Sequence, residues 1–297
     1  MKTFFIGIDG GATKCIIRIE DEYGKLLGTE LRGPANIRIS VHSAWDFILS
    51  GIHAILAEHQ IRIDDKENIF HVAVGIAGCE VASSYQDFIH FKQPFNNLIV
   101  TSDAHTACLG AHNGEDGAVI IIGTGTIGMS LEEGQIKQVG GYGFPHDDRG
   151  GGAYLGLEAV NISLAAHDGR VQPSILSEAI FKHFNDKPDT LITWANQANS
   201  TAFASLAPIV IRAESQGDAT ALKLLQRAAD AINEIADALL LKKNKLLPCA
   251  LIGGLAPFIQ NFLSEELKSL LIQPASSPVS GAILLARHAI KNKRKHH

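Results

Sequence analysis

The sequence predicts an α/β fold built from two similar domains. Its 297 residues are about twice the roughly 150 that are typical of one domain. Short apolar runs rich in strand formers alternate with longer segments of helical periodicity. A pattern of strand, Gly/Thr turn, strand and acidic-Gly turn spans residues 6–24 and returns over residues 120–134. This repeat is too long for a solenoid, so we place the domains at residues 1–116 and 117–297.

The first domain is predicted to open with a meander of three strands, separated by an Asp-Gly turn and an acidic-Gly turn. A helix follows, with Ser40 as its N-cap and apolar residues at helical spacing from Ala44 to Ile55. The predicted strands cover residues 4–8, 15–20, 26–31, 72–77 and 98–101, and a second helix covers residues 104–112.

The second domain is predicted to repeat the meander and then to become mostly helical. Its strands are predicted over residues 118–122, 127–131, 136–139 and 249–252. Its helices are predicted over residues 152–166, 174–184, 190–198, 203–213, 219–241, 257–271 and 280–290. The last helix is a candidate to pack back on the N-terminal domain.

Composition and charge argue against several classes of function. Acidic residues outnumber basic ones by 31 to 26, whereas nucleic-acid binding needs a broad basic face. No apolar run approaches the roughly 18 residues of a membrane span, and the apolar start is too short for a signal peptide. The four cysteines form no C-x-x-C pair and are typical of reduced core residues. We therefore expect a cytoplasmic protein with no nucleic-acid or membrane partner.

Four glycine-rich turns each follow a predicted strand, at residues 9–14, 123–126, 140–143 and 253–254. Glycine lets backbone N–H groups approach a phosphate closely, and threonine adds a hydroxyl donor. A single turn of this kind is equally typical of a hairpin. Two that contain threonine, each after the first strand of a repeated unit, suggest loops that grip a polyphosphate between the domains.

Two other nucleotide motifs do not fit. Residues 123–128 match G-x-G-x-x-G, but a dinucleotide fold needs a helix directly afterwards, and residues 129–134 are too short and turn-like. The chain also has no G-x-x-x-x-G-K-[ST] phosphate loop.

The motifs resemble those of the actin, sugar kinase and heat-shock chaperone ATPase superfamily. Within it, the chain is similar to the N-acetylglucosamine and glucosamine kinases related to the BadF/BadG/BcrA/BcrD-type ATPases. The resemblance implies two ribonuclease H-like (actin-like ATPase) domains with a nucleotide and sugar cleft between them. It covers essentially the whole chain and rests on D-G-G-x-T at 9–13, P-A-N-I at 34–37, T-S-D-A at 101–104, G-T-G-T at 123–126, G-G-Y-G with Asp148 at 140–150, and L-I-G-G at 251–254.

The resemblance also implies roles for individual residues. It assigns ATP binding to Asp9, Gly10, Gly11, Thr13, Lys14, Gly123, Thr124, Gly125, Thr126, Gly253 and Gly254, and it places Asp9 near a Mg²⁺ ion. It assigns sugar binding to Asn36, Asp103, Gly141, Tyr142, Gly143 and Asp148, and catalysis to Asp103.

The residue chemistry fits these roles but leaves alternatives open. Asp103 lies where a strand ends, so its carboxylate could accept a proton from a sugar hydroxyl, or it could cap the next helix. Asp9 suits Mg²⁺, which prefers carboxylates with phosphate oxygens, but Asp-Gly also forms turns. Lys14 either offsets phosphate charge or faces solvent. Asn36 could be a turn residue, and Asp148 could belong to a solvated charged loop.

One segment departs from the pattern of many N-acetylglucosamine kinases, which have D-E-G-S. Here the chain has Asp148-Arg149-Gly150-Gly151. Residues 144–153 and 108–115 instead resemble the bacterial glucosamine kinases, and a protonated amine would favour a nearby acid such as Asp147.

We therefore expect a kinase that transfers the γ-phosphate of MgATP to the 6-hydroxyl of glucosamine. N-acetylglucosamine is the alternative substrate. An activator-type ATPase and a non-catalytic sugar sensor are alternative functions, and a homodimer is left open.

Overall fold

The first sheet of the computed structural model contains five strands in the order β3-β2-β1-β4-β5. The strands are β1 (Lys2–Gly10), β2 (Cys15–Asp21), β3 (Leu26–Arg32), β4 (Asn68–Ile76) and β5 (Asn97–Ser102). The β1–β2 and β2–β3 pairs are antiparallel, whereas β4 runs parallel to β1 and β5 runs parallel to β4. The structure describes residues 1–79, 81–241 and 246–295. Because three strands are parallel, their carboxyl ends meet at one edge of the sheet.

Three helices belong to this half of the chain: α1 (Val41–Glu58), α2 (Ala82–His90) and α3 (Asp103–Ala111). Ser40 caps α1 as predicted, because its side chain accepts a hydrogen bond from Ser43 N. Helix α2 was not predicted. It is held by Phe88, whose ring stacks on Trp45 with centroids 4.5 Å apart and whose carbonyl accepts from Trp45 Nε1.

The second sheet repeats the strand order of the first. Starting from the edge strand β8, the order is β8-β7-β6-β9-β10, which corresponds to β3-β2-β1-β4-β5. The strands are β6 (Gly117–Ile122), β7 (Thr126–Glu132), β8 (Gln135–Gly140), β9 (Cys249–Ile252) and β10 (Leu271–Ile272). The prediction of two similar α/β units, made from the weak sequence repeat, is confirmed.

Helices fill most of the remaining chain. They are α4 (Gly152–His167), α5 (Ile175–His183), α6 (Pro188–Gln197), α7 (Ser200–Ala204), α8 (Ala207–Ser215), α9 (Ala219–Ala236), α10 (Ala256–Ile259), α11 (Glu265–Leu270) and α12 (Pro278–Lys295). A π-helical turn, Asp237–Leu241, continues α9. No helix in the described part of the chain is long and apolar enough to cross a membrane.

Two predicted helices are wrong. The helix over 203–213 is divided into α7 and α8, and Pro208 lies in the first turn of α8, where its missing N–H is tolerated. The helix over 257–271 is divided into α10, a short 3₁₀ turn and α11, which begins at the N-cap Ser264. Apolar spacing continued through both breaks, so periodicity alone did not reveal them.

The chain packs into two compact units that no single cut of the sequence would give. One contains Met1–Val119, Ser130–Ile136 and the segment that begins at Gln273; the other contains Ile120–Met129 and Lys137–Ile272. Helix α12 therefore belongs with the first unit, where it packs on β1, β4 and α3.

Candidate active site

The first unit brings three of the predicted side chains to one edge of its sheet. Asp9, near the end of β1, pairs in register with Gly75 of β4. Asp103 directly follows β5, which lies on the other side of β4. Asn36 forms an isolated bridge with Ala77, just beyond the end of β4. Ligands gather at the carboxyl ends of parallel strands, so this edge is the candidate catalytic site of the first unit.

The carboxyl group of Asp9 is half-buried, and its electrostatic environment connects it to Asp103. The pKa of Asp9 is raised from 3.8 to about 6: burial is the largest cause, the nearby Asp103 carboxylate adds to it, and the Lys14 ammonium opposes both. Lys14 is exposed, yet it lies close enough to Asp9 to act on this pKa. The two carboxyl groups therefore lie close enough for the charge of Asp103 to act on the pKa of Asp9.

At the start of α3, the residue that caps the helix is not Asp103 but its neighbour. Ser102 is the N-cap, and its Oγ accepts a hydrogen bond from His105 N at 3.2 Å. Asp103 is the first helical residue; its Oδ1 accepts from Ala104 N at 2.9 Å, and its carbonyl accepts from Thr106 Oγ1 at 3.0 Å. The capping role left open for Asp103 thus belongs to Ser102, and the helix N-terminus favours a charged Asp103.

The first glycine-rich loop is a tight turn pinned to its neighbours. Gly11 N donates to the carbonyl of Lys14 at 2.9 Å, and Gly11 O accepts from Ala35 N at 3.0 Å. Gly10 is buried, and a Cβ there would press on Ala35 and Ile76. The side chains of Thr13 and Lys14 are exposed at the tip, where a phosphate group could reach them.

The second glycine-rich loop is held by the start of α4. Gly123 N donates to Gly125 O at 2.9 Å, which closes the turn. Gly152 N donates to Gly123 O, and Ala153 N donates to Thr124 O, so the first residues of α4 fix the loop from behind. The positive end of the α4 dipole therefore lies at the loop, which favours a bound anion.

Asp148 packs against this same loop. A Cβ at Gly125 would overlap the Asp148 carboxylate, and Asp148 itself has a positive φ of 67°. Thr126 is buried, and its hydroxyl has no hydrogen-bond partner among residues 1–79, 81–241 and 246–295. Of the two loop threonines, only Thr124 is partly exposed. The backbone and Thr124 are therefore the parts of this loop that a ligand could reach.

The third loop, at residues 140–143, requires its glycines. Gly140, Gly141 and Gly143 have φ values of 71°, 79° and 99°, a region that side chains with a Cβ rarely adopt. Asp147 closes the loop: its Oδ2 accepts from Tyr142 N at 3.1 Å, and its N donates to Gly143 O at 3.0 Å. The side chain of Tyr142 is 73% exposed.

The fourth loop, at residues 253–254, lies against the end of β6. Gly253 has a φ of 113°, and Ile122 O leaves no room for a Cβ there. Leu255 N donates to the same carbonyl at 3.1 Å. A Cβ at Gly254 would meet no atom within 4 Å. This loop and the loop at 123–126 are therefore neighbours within the second unit.

Sequence reasoning missed a polar contact beside Asp103. Thr101 Oγ1 lies 2.8 Å from His105 Nδ1, and Cys79 Sγ donates to Thr101 O at 3.2 Å. Burial lowers the pKa of His105. The i, i+4 spacing of Thr101 and His105 across the strand end was the available signal.

The strand order and the glycine-rich loops define an α/β protein of the actin-like ATPase class. The chain belongs to the BadF/BadG/BcrA/BcrD ATPase family, whose family model matches residues 6–286. The predicted fold class and family are thereby confirmed, whereas the roles of single site residues stay predictions.

Two relatives with described activities align with nearly the whole chain. It is 32% identical over 283 residues to the glucosamine kinase of Vibrio cholerae serotype O1, with 95% of each chain covered. It is 27% identical over 305 residues to the N-acetylmuramic acid/N-acetylglucosamine kinase of Clostridium acetobutylicum, with 96% of this chain and 98% of that one covered.

A solved structure agrees with the fold. A protein from Chromobacterium violaceum, whose proposed activity is that of an N-acetylglucosamine kinase, superposes with a TM-score of 0.88. The two chains are 29% identical, and the match covers 95% of this chain and 98% of that one.

Proposed function

We propose that this protein transfers the γ-phosphate of ATP to the 6-hydroxyl of glucosamine. Phosphorylation of an amino sugar is the activity that the two aligned relatives share by name. The observation that carries the proposal for this chain is the position of Asp103 at the end of β5, on the same sheet edge as Asp9 and Asn36. A kinase needs such a carboxylate to orient its attacking hydroxyl.

In the proposed step, Asp103 accepts the proton of the sugar hydroxyl. The hydroxyl oxygen forms a bond to the γ-phosphorus while the bond from that phosphorus to the β,γ-bridging oxygen breaks, and ADP leaves. The hydrogen bonds from Ala104 N and Thr106 Oγ1 hold Asp103 in place at the N-terminus of α3. Asn36 and Asp148, together with the loop at Gly141, Tyr142 and Gly143, bind the sugar hydroxyls.

The residues present fit a Mg²⁺ ion. Asp9 is a half-buried carboxylate whose pKa is raised by burial and by Asp103, and a cation would offset both effects. Among the described residues no group of three or more His, Cys, Asp or Glu side chains could hold a metal. Mg²⁺ typically uses one or two carboxylates with phosphate oxygens and waters. Mg²⁺, when bound, would neutralise charge on the transferred phosphate.

The glycine-rich loops account for the rest of the nucleotide. Backbone N–H groups of residues 10–14 and 123–126 suit the phosphates, with Thr13, Lys14 and Thr124 as further donors. Gly253 and Gly254 suit the adenosine side because they lie next to the loop at 123–126. A cytoplasmic location and the lack of nucleic-acid and membrane partners stay predictions, and a homodimer stays open.

N-acetylglucosamine is the second candidate substrate, because the Clostridium relative and the Chromobacterium structure carry that name. An activator-type ATPase is disfavoured. Such proteins hold an iron–sulfur cluster on paired cysteines, whereas the cysteines here form no C-x-x-C pair, and Cys15, Cys108 and Cys249 are buried. Burial also raises the pKa of Cys108 to about 11, which suits an inert core thiol.

A coupled ADP-release assay with MgATP and a panel of glucosamine, N-acetylglucosamine and glucose tests the proposal. Glucosamine should give the highest kcat/KM, and Asp103→Ala should remove turnover while ATP still binds. No turnover with any amino sugar, or full turnover in the Asp103→Ala protein, would refute the proposal.

A further inference from the structure

A pocket of about 270 Å³ lies within the second unit, beside the loop at residues 140–143. Gly140, Tyr142, Asp147 and Arg149 line it on the loop side, and Glu234 and Ile235 of α9 line it on the helix side. The buried Thr126 hydroxyl lies directly behind Gly150, which belongs to the same wall. This volume can hold a substituent of a sugar ring together with the water molecules that hydrate it.

Three of the lining side chains carry charge, and two of them neutralise each other. Arg149 Nη2 contacts Glu234 Oε2 in an ion pair. Asp147 forms no ion pair among the described residues. The pocket therefore holds one uncompensated negative charge, which suits a cationic group.

The Asp147 carboxylate is fixed in orientation, and only one of its two oxygens accepts a hydrogen bond from the described residues. Its Oδ2 accepts from Tyr142 N, and the backbone bond from Asp147 N to Gly143 O holds the residue in the turn. Its Oδ1 accepts no hydrogen bond from the described part of the chain. The exposed Tyr142 ring lies at the same wall, where an aromatic face attracts a cation.

We infer that Asp147 is the specificity residue that recognises the 2-ammonium group of glucosamine. The inference rests on the proposed function, because Asp147 is the chain neighbour of Asp148, the proposed reader of the sugar hydroxyls. A charged hydrogen bond from the ammonium group would satisfy Oδ1. The neutral acetamide of N-acetylglucosamine and the hydroxyl of glucose would leave the carboxylate without a countercharge, so both should be disfavoured.

The test compares Asp147→Asn with the wild-type protein on glucosamine, N-acetylglucosamine and glucose. Asparagine keeps the size of the side chain and can still accept from Tyr142 N, so the loop should stay closed. The expected result is a loss of about 10- to 100-fold in kcat/KM for glucosamine, the effect of one charged hydrogen bond. The kcat/KM for glucose should change by less than about threefold, whereas a structural defect would lower kcat/KM for every sugar.

A double variant, Arg149→Gln with Glu234→Gln, is the matched control, because it removes the ion pair from the same pocket and leaves the net charge of the pocket unchanged. It should keep the wild-type ratio of glucosamine to glucose. An unchanged ratio in Asp147→Asn, or an equal loss on every sugar, would overturn the inference.

Calorimetric binding of the same sugars separates this inference from the proposed function. If the wild-type protein phosphorylates no amino sugar, the proposed function fails. In that case Asp147 keeps its assignment only if the protein binds glucosamine more tightly than glucose and Asp147→Asn abolishes the difference. Equal binding of both sugars would overturn it.

Discussion

The α-carbon of Gly125 packs against the carboxylate of Asp148, with no room for a methyl group between them. One contact thus links the loop proposed for phosphate to the residue proposed for the sugar. Gly125→Ala should displace Asp148 and raise the KM for the sugar by about tenfold or more, since a small misplacement of a positioning group costs that much. Steady-state kinetics with varied sugar at saturating ATP measures it.

Gly123→Ala is the control for this prediction. A Cβ at Gly123 would meet no atom within 4 Å, so Asp148 should stay in place and the sugar KM should stay near the wild-type value. Equal effects of both variants on the sugar KM would show that the contact between Gly125 and Asp148 does not position the sugar site.

The raised pKa of Asp9 predicts a stability gain when its charge is removed. An acid whose folded pKa lies above its unfolded value destabilises the protein increasingly as pH rises between the two values. For Asp9 these are about 6 and 3.8, which corresponds to about 3 kcal/mol at most. In metal-free protein, Asp9→Asn should raise the Tm at pH 7.5, and the gain should vanish below pH 4.

Asp64→Asn provides the comparison, because Asp64 is exposed and the Arg62 guanidinium that binds it lowers its pKa. The loss of the Asp64 charge should slightly lower the Tm or leave it unchanged at pH 7.5. Thermal scans in EDTA across this pH range measure both variants. If Asp9→Asn had a lower Tm than the wild-type protein at pH 7.5, the prediction that the charge of Asp9 destabilises the fold would be contradicted.

Ser102 and Asp103 should separate stability from catalysis. Ser102→Ala removes the N-cap of α3 and should cost about 1 kcal/mol of stability, with kcat reduced less than tenfold. Asp103→Asn should leave the Tm within a few degrees and lower kcat by about 10²- to 10⁴-fold, the usual contribution of a general base. Chemical unfolding and initial rates on the same samples decide the assignment, and the reverse pattern would transfer the catalytic role away from Asp103.

Arg287 should be a main anchor of α12. Its Nη2 donates to Glu20 Oε2 at 3.0 Å and to the Asp21 carbonyl at 2.8 Å, and its guanidinium lies 4.1 Å from the Phe5 ring centroid. Arg287→Met should therefore cost about 2–3 kcal/mol, because it leaves partly buried acceptors unsatisfied. Urea unfolding measures the loss.

Arg170→Met serves as the reference for Arg287. Arg170 makes a similar bond to Asp168, but both side chains are largely exposed, and such pairs contribute under about 1 kcal/mol. Equal losses in the two variants would mean that Arg287 acts as an ordinary surface charge.

The sequence predicted the elements whose signals are local. Ser40 lies three residues before Ser43 and starts an apolar stripe, so both the cap and α1 follow from chemistry within one turn. Helix α2 escaped prediction because it buries only Phe88 and has no side-chain cap. Its stability comes from Trp45, which is far away in the chain.

Candidate site residues were predictable where a motif names them, but their partners were not. The proximity of Asp9 and Asp103 depends on the order of β1, β4 and β5, which no local pattern records. In two places one of two adjacent polar residues accepts a hydrogen bond from a backbone amide. Asp147, and not its neighbour, accepts from Tyr142 N, and Ser102, and not its neighbour, accepts from His105 N. Such choices are made by packing and become visible only in three dimensions.

The position of α12 has a consequence for how this protein is made. Its Ala282, Ile283 and Ala286 form a small core with Phe5 and Ala73 on the face of the first sheet. A ribosome delivers the sheet long before it delivers these residues, since synthesis adds only about 5–20 residues per second. For many seconds the nascent chain therefore exposes an apolar sheet face that α12 will later cover, and during this interval a chaperone or a misfolding partner has access to it.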